Sequence, residues 1–291
     1  MNGQERGGVG IALIAWLAVL PASIVGEIVA RVLFHAELPG WVAFARLALL
    51  LALVALTRAR LDLRPLGGYL LALVALTAGG MAMAAIERGA AWTAWTARVS
   101  YAAGMVADSL LELIPCLLLA LTAIGVGRRN LFLTRGDLRA RRPLPFGLPA
   151  VSWALLGPAL AVLFAGPLAL QLILKAPPDP RLLSGALATL PLALAFAAFN
   201  AAQEEFRFRM VLLARLAPVV GAGQALLVTS TLFGIGHWFG HPSGASGVLM
   251  AGFAGYVWGR SILDTRGFFW AWLSHGMQDV LIFLLVMMSG R

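Results

Sequence analysis

Residues 66–86 read LGGYLLALVALTAGGMAMAAI, twenty-one consecutive positions without a formal charge. About 20 apolar residues in a helix cross the roughly 30 Å hydrocarbon core of a bilayer, so this stretch has the length and polarity of a spanning segment. Residues 47–57 and 148–174 likewise carry no formal charge. Across the chain 60% of residues are apolar and only 12% are charged, where a soluble domain carries about 25% charged residues. A soluble globular protein is therefore excluded. Backbone polar groups in lipid must be satisfied within each segment, which leaves helices and closed barrels. The two-residue alternation of a barrel strand is missing. The expected fold class is all-α: a polytopic transmembrane helical bundle.

Working outward from residues 66–86, nine apolar runs can be drawn: 10–34, 41–57, 66–86, 99–126, 149–174, 186–216, 222–240, 246–263 and 267–289. They predict eight or nine spans. Turn residues and charges separate them, among them Pro39-Gly40, Arg64-Pro65, Pro218, His241-Pro242 and Arg266-Gly267. The opening run extends over about 24 residues, longer than the core of a signal peptide, and no small-residue cleavage site follows; it is expected to be the first span. The net charge is +9. Its arginines cluster between apolar runs, as Arg58, Arg60 and Arg64 and as Arg128, Arg129, Arg135, Arg139, Arg141 and Arg142. Loop arginines of this kind set topology and meet anionic lipid, so the bilayer rather than nucleic acid is the expected partner. Both basic loops fall on the cytoplasmic side, and the two spans between them agree in parity. The Ala-, Leu- and Arg-rich composition suggests a bacterial cytoplasmic membrane. The single cysteine, Cys116 beside Pro115, excludes an internal disulfide and reads as a small buried hydrophobe.

The chain divides by polarity. Up to residue 185 the runs are mostly Leu, Ala and Val, which reads as accessory spans; from 186 to 289 the runs carry ionisable groups. All of it reads as a single integral membrane domain, 1–291. A charge at mid-bilayer costs several kcal/mol, about 2.5–3.5 on insertion scales, so such groups face a protein interior and pair. The first cluster is Asn200-Ala-Ala-Gln-Glu204-Glu205-Phe-Arg207-Phe-Arg209. Asn200 and Glu204 are four apart, as are Glu205 and Arg209, and each pair shares a helix face. The two glutamates point about 100° apart and can do different work. The plainer reading is the wet end of a shorter helix. The second cluster is Phe233-Gly-Ile-Gly-His237-Trp-Phe-Gly-His241-Pro242, in which glycines let another helix approach. His237 is expected well inside its span, and His241 at an interface. The third is Ser274-His275-Gly-Met-Gln-Asp279; an acid one turn from a histidine fixes its tautomer, and the plainer reading is a buried structural hydrogen bond. Counted from the loop near residues 217–221, Glu204 and His237 stand roughly 20 and 24 Å along antiparallel helices, depths that allow them to meet. A carboxylate beside imidazoles can activate water. A polar catalytic cavity in the C-terminal half is therefore expected.

Glu204-Glu205-xxx-Arg209, Phe233-xxx-His237 and His275-xxx-Asp279 resemble, in order and spacing, the three motifs of the CPBP (CAAX prenyl endopeptidase-like, or Abi) family of intramembrane proteases. The similarity covers about residues 186–289. The resemblance implies a glutamic endopeptidase. Glu204 would be the general base for water, His237 would share or orient that water, and His275 would stabilise the oxyanion. Glu205 and Arg209 would be structural and electrostatic supports, with Asn200 and Phe233 beside them. Asp279 stands where the family carries Asn or Asp; an ionised Asp cannot donate to an oxyanion and instead orients His275. The implied partner is a membrane-anchored protein or peptide, lipidated or C-terminally tagged, and no cofactor or metal is expected.

Two other classes use the same residue types. Glu204, Glu205, His237, His241, His275 and Asp279 include suitable zinc ligands, although the His-Glu-xx-His helix of zinc proteases is missing. Intramembrane acids and histidines also mark proton-coupled transporters, for which Asp108 with Glu112 and Glu27 with Arg31 would serve. No internal repeat of the transporter kind is visible. A non-catalytic, immunity-type member of the same family is the third alternative.

Overall fold

The computed structural model describes residues 3–125, 127, 130–143, 148–175, 180–240 and 242–289. The chain is all-α, about 80% helical, apart from a two-residue antiparallel ladder of β1 (Arg141–Arg142) with β2 (Val151–Ser152). Most of the described residues of each of the nine apolar runs are helical. Among the described residues, four helical stretches are long and apolar enough to cross a membrane: Trp41–Ala59, Leu61–Glu87, Ala103–Thr122 and Trp153–Leu170. Gly10–Ala22 with Val25–Leu33, bent by 56°, makes a fifth if the pair is one span. Two compact units are distinguished, one of residues 1–85, 114–127 and 207–259 and the other of 86–113, 128–206 and 260–291.

The first unit begins with α1 (Gly3–Leu17), α2 (Val19–Ala22) and α3 (Val25–Leu33). The sequence suggests one continuous helix over 10–34, but the chain breaks at Ser23-Ile24, two residues after Pro21. A broken helix leaves carbonyls without partners, which is expensive in lipid. Arg46, on α4 (Trp41–Ala59), fills that gap: its Nε donates to the Pro21 carbonyl at 2.9 Å, and its other nitrogens reach the Ser23 carbonyl and Glu27. Glu27 thus pairs with Arg46, and Arg31 pairs with Glu37 at 3.0 Å, in place of the Glu27–Arg31 pairing that spacing alone suggests. Helix α5 (Gly67–Glu87) follows a 3-10 turn at Leu61–Leu66 and buries Tyr69, Leu70 and Leu73 completely. Gly79 lets it touch Pro115, because a Cβ there would stand 2.4 Å from the proline Cα.

Downstream in this unit, the chain enters a π-helix at Phe206–Leu213 and returns to α-helix as α11 (Ala214–Val220). In chain order α6 (Ala90–Thr96), α7 (Tyr101–Leu111), α8 (Leu113–Thr122), α9 (Trp153–Lys175) and α10 (Pro180–Glu205) precede it. Arg215 of α11 donates to the carbonyl of Thr122, the last residue of α8, where a cation suits the negative end of the helix. Helices α12 (Ala222–Gly236) and α13 (Gly244–Thr265) cross with Gly234 against Val248 and Gly252. A Cβ on Gly234 would meet the Val248 carbonyl at 2.5 Å.

The second unit is organised by α10 and α14 (Phe269–Ser289). Ala193, Ala197 and Ala201 recur every four residues on α10 and are buried. Small residues at that spacing let helix backbones approach in a membrane, and Gly276 of α14 packs on Ala197 and Ala201. The indole of Trp272 donates to the Ala198 carbonyl at 2.9 Å, and Phe196 meets Phe283 with ring centres 5.6 Å apart. Helix α9 packs on α14 through Gly157, where a Cβ would collide with Trp270.

Candidate active site

In the second unit, α10 and α14 bring five of the expected residues together. His275 is buried, and its Nδ1 lies 3.0 Å from Oε1 of Glu205, which is fully buried. Its other nitrogen, Nε2, is 3.4 Å from Glu204 and 3.6 Å from Asp279. Asn200 completes the group, donating through Nδ2 to Asp279 Oδ2 at 2.9 Å. The amide must turn its nitrogen toward that oxygen, because an ionised carboxylate only accepts.

These distances separate the roles of the three acids. Only the Glu205 contact is within hydrogen-bond length; 3.4 and 3.6 Å are ion-pair separations with room for adjustment. A carboxylate holding Nδ1–H leaves Nε2 as the working nitrogen. That nitrogen faces Glu204 and Asp279. Glu204 keeps 17% of its side chain exposed and Glu205 none. Of the adjacent pair, Glu205 is buried against the ring and Glu204 alone keeps exposed surface. Spacing on α10 points Glu205 toward Arg209; the structure gives it His275 as a hydrogen-bond partner, which an interaction across helices cannot reveal in sequence.

The remaining expected residues lie in the first unit and form a group of their own. Helix α12 ends at Gly236, so His237 caps the helix rather than standing well inside it. Its Nδ1 contacts the Phe233 carbonyl at 2.8 Å, and the two rings are 4.4 Å apart. A carbonyl only accepts, so Nδ1 carries the proton and Nε2 offers a lone pair. The guanidinium of Arg209 lies 4.0 Å over the Phe233 ring and 5.5 Å from Trp258. Phe233 therefore serves two motif residues: its backbone fixes the His237 tautomer and its ring carries the Arg209 cation, a contact strengthened by desolvation. Space for that cation comes from Gly255, where a Cβ would stand 2.6 Å from Nη2 of Arg209.

Several participants are not legible in the sequence. Gly255 and Trp258 sit outside the three motifs. Within the first quoted cluster, Arg207 is buried, and Gln203 is buried with its amide 3.4 Å from the Ser109 carbonyl of α7. The π-helix at Phe206–Leu213 adjoins Glu205; π-geometry is rare and concentrates at functional sites. His241 lies outside the described residues. Among the described residues, no group of three or more His, Cys, Asp or Glu side chains has the arrangement of a metal site. A groove of 530 Å³ lined by Ala195, Ala198, Phe199, Ala202, Phe269 and Trp272 is apolar. Glu204, two residues past Ala202, projects about 200° away from it around α10.

Residues 186–281 match a family model described as type II CAAX prenyl endopeptidase Rce1-like. This segment is an Rce1-like domain. It contains Asn200, Glu204, Glu205, Arg209, Phe233, His237, His275 and Asp279. No curated protein and no solved structure matches the chain. The match over residues 186–281 and the apolar helices together indicate an integral membrane protein, and the match supports a hydrolase.

Proposed function

We propose that this protein is an intramembrane endopeptidase that cleaves a peptide bond of a membrane-associated protein or peptide by glutamate-activated water. The observation that carries the reading is the His275 imidazole bonded to buried Glu205 on one nitrogen and facing partly accessible Glu204 on the other. In this mechanism Glu204 removes a proton from water as it attacks the scissile carbonyl, then returns the proton to the leaving amine nitrogen. His275, protonated at Nε2 while Glu205 holds Nδ1, stabilises the oxyanion. Asp279, held by Asn200, orients the ring. In the first unit, His237 turns Nδ1 to the Phe233 carbonyl, which leaves Nε2 as the nitrogen available for its part in the motif. Arg209 and Phe233 support His237.

The same reading places eight or nine spans in a bacterial cytoplasmic membrane, with residues 1–185 as accessory spans and 186–289 as the catalytic core around a polar cavity. The substrate is a lipidated or C-terminally tagged polypeptide, by analogy with the name of the family matched. No metal takes part in the proposed chemistry. Purified wild-type protein and Glu204→Gln, each incubated with membrane-tethered peptides with and without a strong chelator, test it. Cleavage by wild type alone, unaffected by chelator, supports the glutamate mechanism. Cleavage abolished by chelator and restored by zinc replaces it with a metal hydrolase.

A further inference from the structure

Within the second unit, residues 130–143 form a strap bound against the turn between α13 and α14. The Thr134 hydroxyl donates to the Arg266 carbonyl at 2.9 Å, the Asp137 amide to the Thr265 carbonyl at 2.8 Å, and the Trp270 indole to the Leu138 carbonyl at 3.2 Å. Gly136 and Gly267 touch so closely that a Cβ on either would collide with the other's backbone. Phe132 and Arg266 both adopt left-handed φ, 55° and 58°, and the guanidinium of Arg266 lies 5.6 Å over the Phe132 ring. The docking is fixed, and it has a large charge imbalance. Arg135, Arg139, Arg141, Arg142, Arg260 and Arg266 stand with Asp137 and Asp264 as the only acids of 130–143, 148–153 and 260–268.

Asp264 is already taken. Arg142 approaches one of its oxygens at 3.0 Å, Arg260 the other at 2.9 Å, and the Trp153 indole donates to it at 3.2 Å. One carboxylate thus holds two guanidiniums. Arg135, Arg139, Arg141 and Arg266 are exposed. Their depth is set by the ladder: Arg141 pairs with Ser152 and Arg142 with Val151, directly before the apolar window Trp153–Leu170. Residues just before a helix of that length and hydropathy meet the headgroup layer, and the ladder sets Arg141 and Arg142 beside them. Guanidinium forks match phosphate oxygens in pairs.

We propose that the strap at 130–143, with Arg266, is a binding surface for anionic phospholipid headgroups. The proposal is independent of the protease reading. Its test uses the full chain, purified in neutral detergent and titrated with phosphatidylglycerol or phosphatidylcholine, with bound lipid counted by native mass spectrometry. Phosphatidylglycerol is expected to be retained at least about 10-fold better than phosphatidylcholine, and high salt to reduce the preference. The variant R135Q/R139Q/R141Q/R266Q leaves the Arg142–Asp264 docking in place and is expected to lose the preference; the four-lysine counterpart is expected to keep part of it. Equal retention of the two lipids by wild type overturns the proposal. So does displacement of phosphatidylglycerol by an equal concentration of inorganic phosphate, or an unchanged preference in a folded glutamine variant. If that variant does not fold, the wild-type lipid preference and its salt dependence decide the matter, and absence of either overturns it.

Discussion

The Nδ1 of His275 and Oε1 of Glu205 are 3.0 Å apart, on two helices whose contact excludes solvent from the carboxylate. The imidazole is thereby held by an acid that has no route to water. Glu205→Gln preserves an acceptor for Nδ1–H and is expected to fold, with turnover reduced because the ring loses its ionic partner. Glu205→Ala leaves the buried ring nitrogen without that acceptor, which costs about 1–3 kcal/mol. Thermal denaturation in detergent, monitored by loss of monodisperse protein, should rank wild type above Gln and Gln above Ala. Equal stability for Ala and wild type would remove Glu205 from this role.

Glycines on α13 give a paired prediction. A methyl group at Gly255 would stand 2.6 Å from the Arg209 guanidinium and 2.9 Å from the Phe233 ring, whereas at Gly252 its nearest neighbour, the Ser230 carbonyl, is 3.5 Å away. Gly255→Ala should destabilise by about 1–3 kcal/mol, the usual range for overpacking, and should lower activity by displacing Arg209 from Phe233. Gly252→Ala should be close to wild type in both assays. A tolerated Gly255→Ala would mean that Arg209 does not need its observed place.

The helical regions were legible because the apolar runs are long and carry few charges, none at all in 66–86. The pair His275-xxx-Asp279 was legible because four residues make one helical turn. What escaped are features that depend on neighbours. The π-helix at Phe206–Leu213 inserts itself into a sequence with ordinary helical composition, and the hydrogen bond from His275 to Glu205 joins positions 70 residues apart. Pro21 gave a local hint of the break at Ser23-Ile24, but the arginine that satisfies the freed carbonyls comes from α4. His237 fell one residue beyond its helix because Gly234 and Gly236 end α12 at a site whose hydropathy continues.

Arg46 carries the third prediction. Its guanidinium serves Glu27 and two carbonyls of the broken first helix. Arg46→Leu should leave those carbonyls without donors, while Arg46→Lys, with a single ammonium, should restore only part of the arrangement. Hydrogen exchange of amides between residues 19 and 30 is expected to accelerate in the order wild type, Lys, Leu. Identical exchange in all three would show that the bend holds without its arginine.

The most direct measurement compares wild type with Glu204→Gln on membrane-tethered peptides, alongside a check that both proteins have the same thermal stability. Glu204 is the one carboxylate of the adjacent pair with exposed surface, facing the His275 nitrogen that Glu205 leaves unoccupied. The account predicts cleavage by wild type and a loss of at least about 100-fold in Glu204→Gln, the scale of a general base. Undiminished cleavage by a correctly folded Glu204→Gln would contradict it.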